Sequence, residues 1–170
     1  MVDAPAELTA FVRREHPRLV RAVDLLLDDR AVAEEVAQEA LLRAASRWEH
    51  VSGLAAPGGW VHRVAINLAT SQLRRRRAER RARERLAGRQ DPPPADPDTA
   101  MAVREAVREL PDRQRRVLVL RHVLGWSAVE IADLEGGSAD AVRQQLRRAR
   151  GALRDALGID LDEEETTDAR

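Results

Sequence analysis

The stretch WSAVEIADLEGGSADAVRQQLRRARGALR, residues 126–154, decides how the rest of the chain is read. Ser127 followed by Glu130 is a capping box: the hydroxyl takes an orphan amide and the carboxylate reaches back to the serine's own amide. A short helix follows, with Val129, Ile131, Ala132 and Leu134 as its apolar members. Gly136 and Gly137 stop it, since glycine takes the left-handed conformation a sharp turn needs. Ser138 caps a second helix, and Asp140 sits in its first turn, where the dipole favours negative charge. Val142, Leu146, Ala149 and Leu153 recur at helical spacing and predict one buried stripe. Arg143, Gln144, Arg147, Arg148, Arg150 and Arg154 fall off that stripe. The pattern predicts a helix-turn-helix whose second helix has a dry face and an arginine-glutamine face. Arginine pairs bidentately with guanine, glutamine with adenine, and spare guanidiniums hold phosphates. An ordinary amphipathic hairpin with a solvated basic face is the plainer alternative.

Upstream, Asp98 is positioned to cap a helix through Val103, Val107 and Leu110. Pro111 starts another, PDRQRRVLVLRHVLG, ended by Gly125. Val117, Leu118, Leu120 and Leu124 are expected to bury against the helix-turn-helix. Four helices over 99–158 are near the minimum for a self-supporting core. The tail 159–170 is too acidic to fold alone.

Residues 88–98, GRQDPPPADPD, hold four prolines and three aspartates. That composition predicts an extended acidic linker. It divides the chain into an N-terminal unit, 1–87, and a C-terminal one, 99–158. In the first unit Asp3 and Pro5 suggest a helix start, and Phe11 and Val12 anchor it. Pro17 is expected to break or restart that helix. Leu19, Val20, Val23, Leu26 and Leu27 are core candidates, and Asp28-Asp29 closes this helix and caps the next. In 30–48, RAVAEEVAQEALLRAASRW, an apolar line runs through Val32, Val36, Ala40 and Ala44, flanked by Leu41 and Trp48. Glu35, Glu39, Arg43 and Arg47 lie four apart, beside Gln38. On helix physics alone this is an exposed face stitched by i,i+4 pairs; a docking face for a protein partner is the alternative. Residues 49–59 read as a loop. A long helix is expected over 59–86, with Trp60, Val61, Val64, Ala65 and Leu68 inward and Arg63, Asn67, Thr70 and Arg74 outward.

Formal net charge is zero, but the charge is segregated. Residues 74–85, RRRRAERRARER, hold eight arginines against two glutamates, while 160–168 hold six acids and no base. Such a run suits a phosphate backbone, or else is a solvated arginine helix. Aromatic residues make up 2% of the chain, which favours helix throughout. With no cysteine there is no disulfide or thiolate metal site. The four histidines lack metal-ligand spacing, and no phosphate-cradling loop or nucleophile motif occurs. No cofactor, metal or catalytic residue is expected, so an enzyme is the least favoured class. No apolar run approaches the ~18 residues of a membrane span, and no signal-peptide core is present. A soluble cytoplasmic protein is the default expectation.

Three blocks, in order, resemble the extracytoplasmic-function (ECF) type of bacterial RNA polymerase sigma factor, in the sigma-70 family. They are FVRREHPRLVRAVDLLLDDRAVAEEVAQEALLRAASRW, APGGWVHRVAINLATSQLRRRR and LPDRQRRVLVLRHVLGWSAVEIADLEGGSADAVRQQLRRARGALR. The resemblance implies an all-α fold of two small helical domains, region 2 at 1–87 and region 4 at 99–158, joined by the proline-rich flexible linker. It implies that Glu35, Gln38, Glu39, Leu42 and Arg43 bind the polymerase β′ clamp helices, with the β flap as a further polymerase contact. Trp60, Arg63 and Asn67, with the loop 50–59, would open the promoter −10 element and hold a flipped base; Arg74 and Arg75 would hold the adjoining backbone. Ser138, Ala139, Arg143, Gln144, Arg147 and Arg148 would read the −35 element in the major groove. The linker would thread along the polymerase's RNA exit path, and an anti-sigma factor is a further partner of such proteins. Gly137 and Gln145 depart from the family pattern, which usually has an aliphatic and often a basic residue there, and its Lys-Ser pair is here Arg143-Gln144. The rivals are a stand-alone helix-turn-helix regulator and a sigma-like protein-binding module.

Overall fold

The computed structural model describes residues 6–84 and 99–158. Among these, every regular element is a helix: α1 (Ala6–Leu27), α2 (Arg30–Ala45), α3 (Trp48–Ser52), α4 (Pro57–Glu84), α5 (Thr99–Glu109), α6 (Asp112–His122), α7 (Ala128–Glu135) and α8 (Ala139–Leu157). The expected all-α fold is found. The start at Asp3 and Pro5, the Asp98 cap, the linker 88–98 and the acidic tail lie outside the described residues.

Pro17 does not break α1, which runs through it without interruption. A proline inside a helix removes one hydrogen bond and costs roughly 3 kcal/mol. Against that, Phe11 and Leu19, Val20, Val23, Leu26 and Leu27 on either side are all buried on one stripe. Each such side chain contributes about 1.5–3 kcal/mol, so the stripe outweighs the lost bond. Pro17 itself is exposed, where water can take the carbonyl it leaves unpaired.

Asp28 turns the chain with a left-handed φ of 52°, which aspartate tolerates better than most residues. Asp29 then caps α2, its Oδ1 accepting from the Val32 amide at 3.1 Å. Ala33, Ala37, Ala40 and Ala44 give α2 a face of small buried residues, so it can lie close against α1. The expected loop over 49–59 is largely helical: it holds the end of α3, a short turn and the first residues of α4. Pro57 at the head of α4 is well placed, since the first helical amide has no intrahelical acceptor. Val51 is fully buried and pins α3 to the core.

The C-terminal unit packs α5, α6 and α7 against α8. The capping box forms as read: Ser127 Oγ accepts from the Glu130 amide at 3.2 Å, and Glu130 Oε2 accepts from the Ser127 amide at 2.8 Å. Gly136 ends α7 at φ 69°, the left-handed conformation its position requires. Ser138 Oγ caps α8 by accepting from the Ala141 amide at 3.1 Å. Val142, Leu146, Ala149 and Leu153 are all buried, as expected. Val103 and Val129, apolar members of α5 and α7, are exposed, each on the solvent side of a helix whose neighbours at other positions fill the core.

The two units share one apolar core. Val117, Val119, Leu120, Leu124 and Trp126 belong to the same buried cluster as Phe11, Leu19, Val20, Val23, Val61 and Ile66. Helix α1 is the spine of this contact, packing on α2 and α4 on one side and on α5 and α6 on the other.

Candidate nucleic-acid and partner-binding faces

In α8 the buried stripe forces the remaining side chains outward. Gln144, Arg147 and Arg148 are exposed. Arg143 is half-buried and its Nη1 donates to Asp140 Oδ1 at 2.7 Å, so this guanidinium is oriented from within its own helix. Ser138 is exposed but its hydroxyl oxygen is engaged as the cap, and Ala139 is half-buried, packed against the core. Of the six residues expected at the upstream element, four therefore present polar side chains and two shape the helix start. Gly137 lies beside Arg113: a Cβ there would meet Arg113 Nη2 at 3.5 Å, an ordinary contact, so the backbone would accept the aliphatic residue the family usually has.

In α4, Arg63, Asn67 and Arg74 share the exposed face the spacing predicts, while Thr70 on that face is half-buried with its hydroxyl donating to the Ile66 carbonyl; Arg75 is exposed beside Arg74, and Trp60 is half-buried against the core at the helix start. Arg75 Nε donates to Glu79 Oε1 at 3.1 Å. The arginine run is not uniform. Arg76 is a structural pin, its Nη2 donating to Asp29 Oδ2 at 2.6 Å and its Nη1 to the Leu27 carbonyl at 3.3 Å. Side chains of Arg77 and of 80–85 lie outside the described residues. Arg63 lies with its guanidinium 6.0 Å from the centre of the Trp126 ring, a cation–π arrangement with the C-terminal unit.

In α2, Glu35, Gln38, Glu39, Leu42 and Arg43 are all exposed and stand three and four apart, one continuous stripe. Arg43 Nε donates to Glu39 Oε1 at 2.7 Å, which is the i,i+4 stitch expected of a solvated helix. Leu42 is not explained by that: it is 65% exposed in the middle of the charged stripe. A single exposed leucine is common on protein surfaces, so Leu42 adds one apolar point to this charged stripe and is not by itself a patch.

Sequence reasoning passed over a buried polar cluster. By spacing, His62 is only one of four scattered histidines, and Glu15 is not singled out at all. The fold buries both, at 3% and 2% exposure, and sets His62 Nε2 2.9 Å from Glu15 Oε2. Arg14 Nε donates to the other carboxylate oxygen at 2.7 Å. Burial pushes the Glu15 carboxyl up, but the hydrogen bonds from Arg14 and His62 prevail and hold it below its usual range. Glu15 in the helical stripe of α1, at a position where an apolar residue is expected, was the available signal. Among the described residues no group of His, Asp and Glu is arranged to hold a metal, and no helix is long and apolar enough to cross a membrane.

Two family models match the chain: "Sigma-70 region 2" over residues 11–79 and "Sigma-70, region 4" over residues 100–153. The RNA polymerase sigma-E factor of Streptomyces coelicolor is 33% identical over 159 residues, covering 92% of this chain and 89% of that protein. The ECF RNA polymerase sigma factor SigG of Mycobacterium tuberculosis is 38% identical over 150 residues, and the match covers 71% of this chain but 40% of SigG. Among solved structures, the sigma factor RpoE in complex with the anti-sigma factor NepR from Bartonella quintana superposes with a TM-score of 0.73 at 20% identity, covering 91% of this chain and 98% of that one. CnrH in complex with the cytosolic domain of CnrY superposes with a TM-score of 0.59 at 24% identity, over 90% and 88%. These two likenesses extend the shared fold across both helical units.

Proposed function

The chain belongs to the sigma-70 family of RNA polymerase sigma factors, in its ECF class, and from that membership we propose that it binds core RNA polymerase and directs initiation at particular promoters. The observation that carries this reading is the presence of both matched regions, in order, on one chain. A stand-alone helix-turn-helix regulator has use for the second region alone, and the exposed α2 stripe centred on Leu42 would then have no purpose. In this reading Glu35, Gln38, Glu39, Leu42 and Arg43 dock the polymerase clamp. Trp60, Arg63 and Asn67 act where the −10 element is opened, with Arg74 and Arg75 on the adjoining phosphates. Gln144, Arg147, Arg148 and Arg143 face the −35 element from α8, whose start Ser138 and Ala139 set. The linker 88–98 separates two functional domains, 1–87 and 99–158. The family is one of non-enzymatic initiation factors, so polymerase supplies the chemistry. Its place of action is the cytoplasm, where polymerase works, and an anti-sigma factor is a partner of the kind seen with RpoE.

The test is in vitro transcription with core polymerase from a GC-rich bacterium on fragmented genomic DNA, with and without this protein. New start sites that share two spaced upstream elements are the expected result. Failure to bind polymerase at all would favour the stand-alone regulator.

A further inference from the structure

We propose that Trp126, His62 and Glu15 form an acid-releasable latch that holds the C-terminal unit closed beside Arg63, so that the chain must open before it can span a promoter. The parts of this inference that concern Arg63 and the promoter rest on the sigma reading above; the latch itself does not.

The geometry assigns the protons. The Trp126 indole can only donate, and its Nε1 lies 3.4 Å from His62 Nδ1, so Nδ1 is the acceptor. The ring proton is then on Nε2, which donates to Glu15 Oε2 at 2.9 Å. This line of bonds joins α4 and α1 of the first unit to the segment between α6 and α7 of the second. Trp126 is itself held: Arg121 Nη1 donates to its carbonyl at 3.1 Å, and its amide donates to the Leu120 carbonyl at 3.0 Å. Arg18 adds a second crossing, its Nη2 donating to the Leu124 carbonyl at 3.4 Å.

Protonating His62 places an N–H on Nδ1 facing the indole N–H. Two donors then oppose each other in a dry site, and the crossing bond is lost. The charged groups around His62 are Glu15, which favours the proton, and Arg14 and Arg18, which oppose it. Burial is the largest influence and pushes His62 below its ordinary value despite Glu15. On the C-terminal side Arg121 sits on the Trp126 carbonyl, and the Glu130 carboxylate is taken up by the Ser127 amide and hydroxyl. The sign follows. A histidine depressed in the closed form and ordinary in the open form gives closure that is complete above about pH 6.5 and weakens as pH falls.

Closure has a functional cost. Arg63 is exposed, but its guanidinium lies 6.0 Å from the centre of the Trp126 ring and its charge is felt by Glu130, so groups of the second unit border the place where an incoming phosphate or base would sit. Promoter elements at −35 and −10 lie roughly 25 base pairs apart, about 85 Å at 3.4 Å per pair. A compact chain of this size is only about 40 Å across. The closed form therefore cannot hold both elements.

The chain has no cysteine, so Ala31→Cys and Ala156→Cys, both at exposed positions, give two specific dye sites on the full-length protein. Resonance energy transfer is read from about pH 8 to pH 5, with helicity followed by circular dichroism. Transfer should be high at the upper end and fall on acidification with helicity kept, the open-to-closed ratio rising by up to about tenfold per pH unit. His62→Gln, which can accept from the indole and donate to Glu15 without titrating, should stay closed throughout. Trp126→Phe should raise the open fraction at pH 8 by about three- to tenfold, the worth of one hydrogen bond. Transfer that is flat with pH in the parent, or an acid response unchanged in His62→Gln, would overturn the latch. So would loss of helicity in step with loss of transfer, which is unfolding rather than release. Polymerase and promoter take no part, so failure here leaves the sigma reading intact, and absence of transcripts leaves the latch intact.

Discussion

Arg104 in α5 closes both terminal guanidinium nitrogens on the carboxylate of Asp24 in α1, at 2.6 and 2.9 Å. Asp24 is buried, and Arg104 also reaches Asp28 Oδ1 from Nε and Nη2, at 3.2 and 3.0 Å. The two partners stand 80 positions apart in sequence, on opposite sides of the linker. Those bonds keep the Arg104 cation charged even beyond its ordinary range, against the opposing effect of burial.

Replacing that cation tests the brace. Arg104→Met should cost about 1–3 kcal/mol, less than a fully buried pair because the guanidinium is partly in water. In a chain of this size that lowers the melting temperature by roughly 2–12 °C. Asp24→Asn in the same background should recover part of the loss, since the stranded buried charge is removed. A melting temperature within a degree of the parent would show that the bond contributes nothing net.

Leu19 is fully buried in the cluster that α6 also enters. Leu19→Ala should cost about 2–5 kcal/mol, the transfer loss plus a cavity. Because the core is continuous, hydrogen exchange should quicken in α6 as well as in α2 and α4. Protection unchanged in α6 would mean the two units unfold separately.

On α8, Arg147→Ala should leave the melt within about 0.5 kcal/mol, as an exposed surface change does. Upstream-element binding should weaken by about 1–3 kcal/mol if the side chain reads a base, or the salt slope should fall by about one if it holds a phosphate. Equal affinity for parent and variant at every salt concentration would remove Arg147 from the groove.

Leu42→Asp tests the proposed polymerase docking apart from folding. The residue is exposed, so helicity and DNA binding by the full chain should be retained while capture by core polymerase drops at least tenfold. Glu39→Arg on the same stripe should act alike. Full capture with both changes in place would return this stripe to an ordinary solvated face.

Two glycines should respond in opposite directions. Gly136→Ala forces a left-handed Cβ at φ 69° and should destabilise by about 1–2 kcal/mol. Gly151 lies inside α8 with nothing within 4 Å of an added Cβ, so Gly151→Ala should stabilise by about 0.5–1 kcal/mol. Thermal melts of the two variants decide both.

The local rules were read correctly where the interaction is local. The Ser127–Glu130 capping box, the Gly136 stop, the Ser138 cap and the α8 stripe each involve residues within one or two turns, so spacing alone exposes them. Pro17 and the segment 49–59 went the other way, because burial of neighbouring apolar side chains decided them and a turn-by-turn reading cannot see it. The polar stripe of α2 was legible as a face, but that Leu42 stands exposed within it follows from the fold.

By itself, the amino-acid order determined the helices, their caps, the arginine-glutamine face of α8 and the family these belong to, since periodicity and motif spacing act within short stretches of chain. The tertiary structure alone decided that the two units share a core, that Arg76 pins α4 to Asp29, and that Glu15, His62 and Trp126 meet. Those contacts join residues 47 to 64 positions apart. No local pattern encodes such a pair; it exists only because α1 packs on α4 and α6 together and shuts water out from between them.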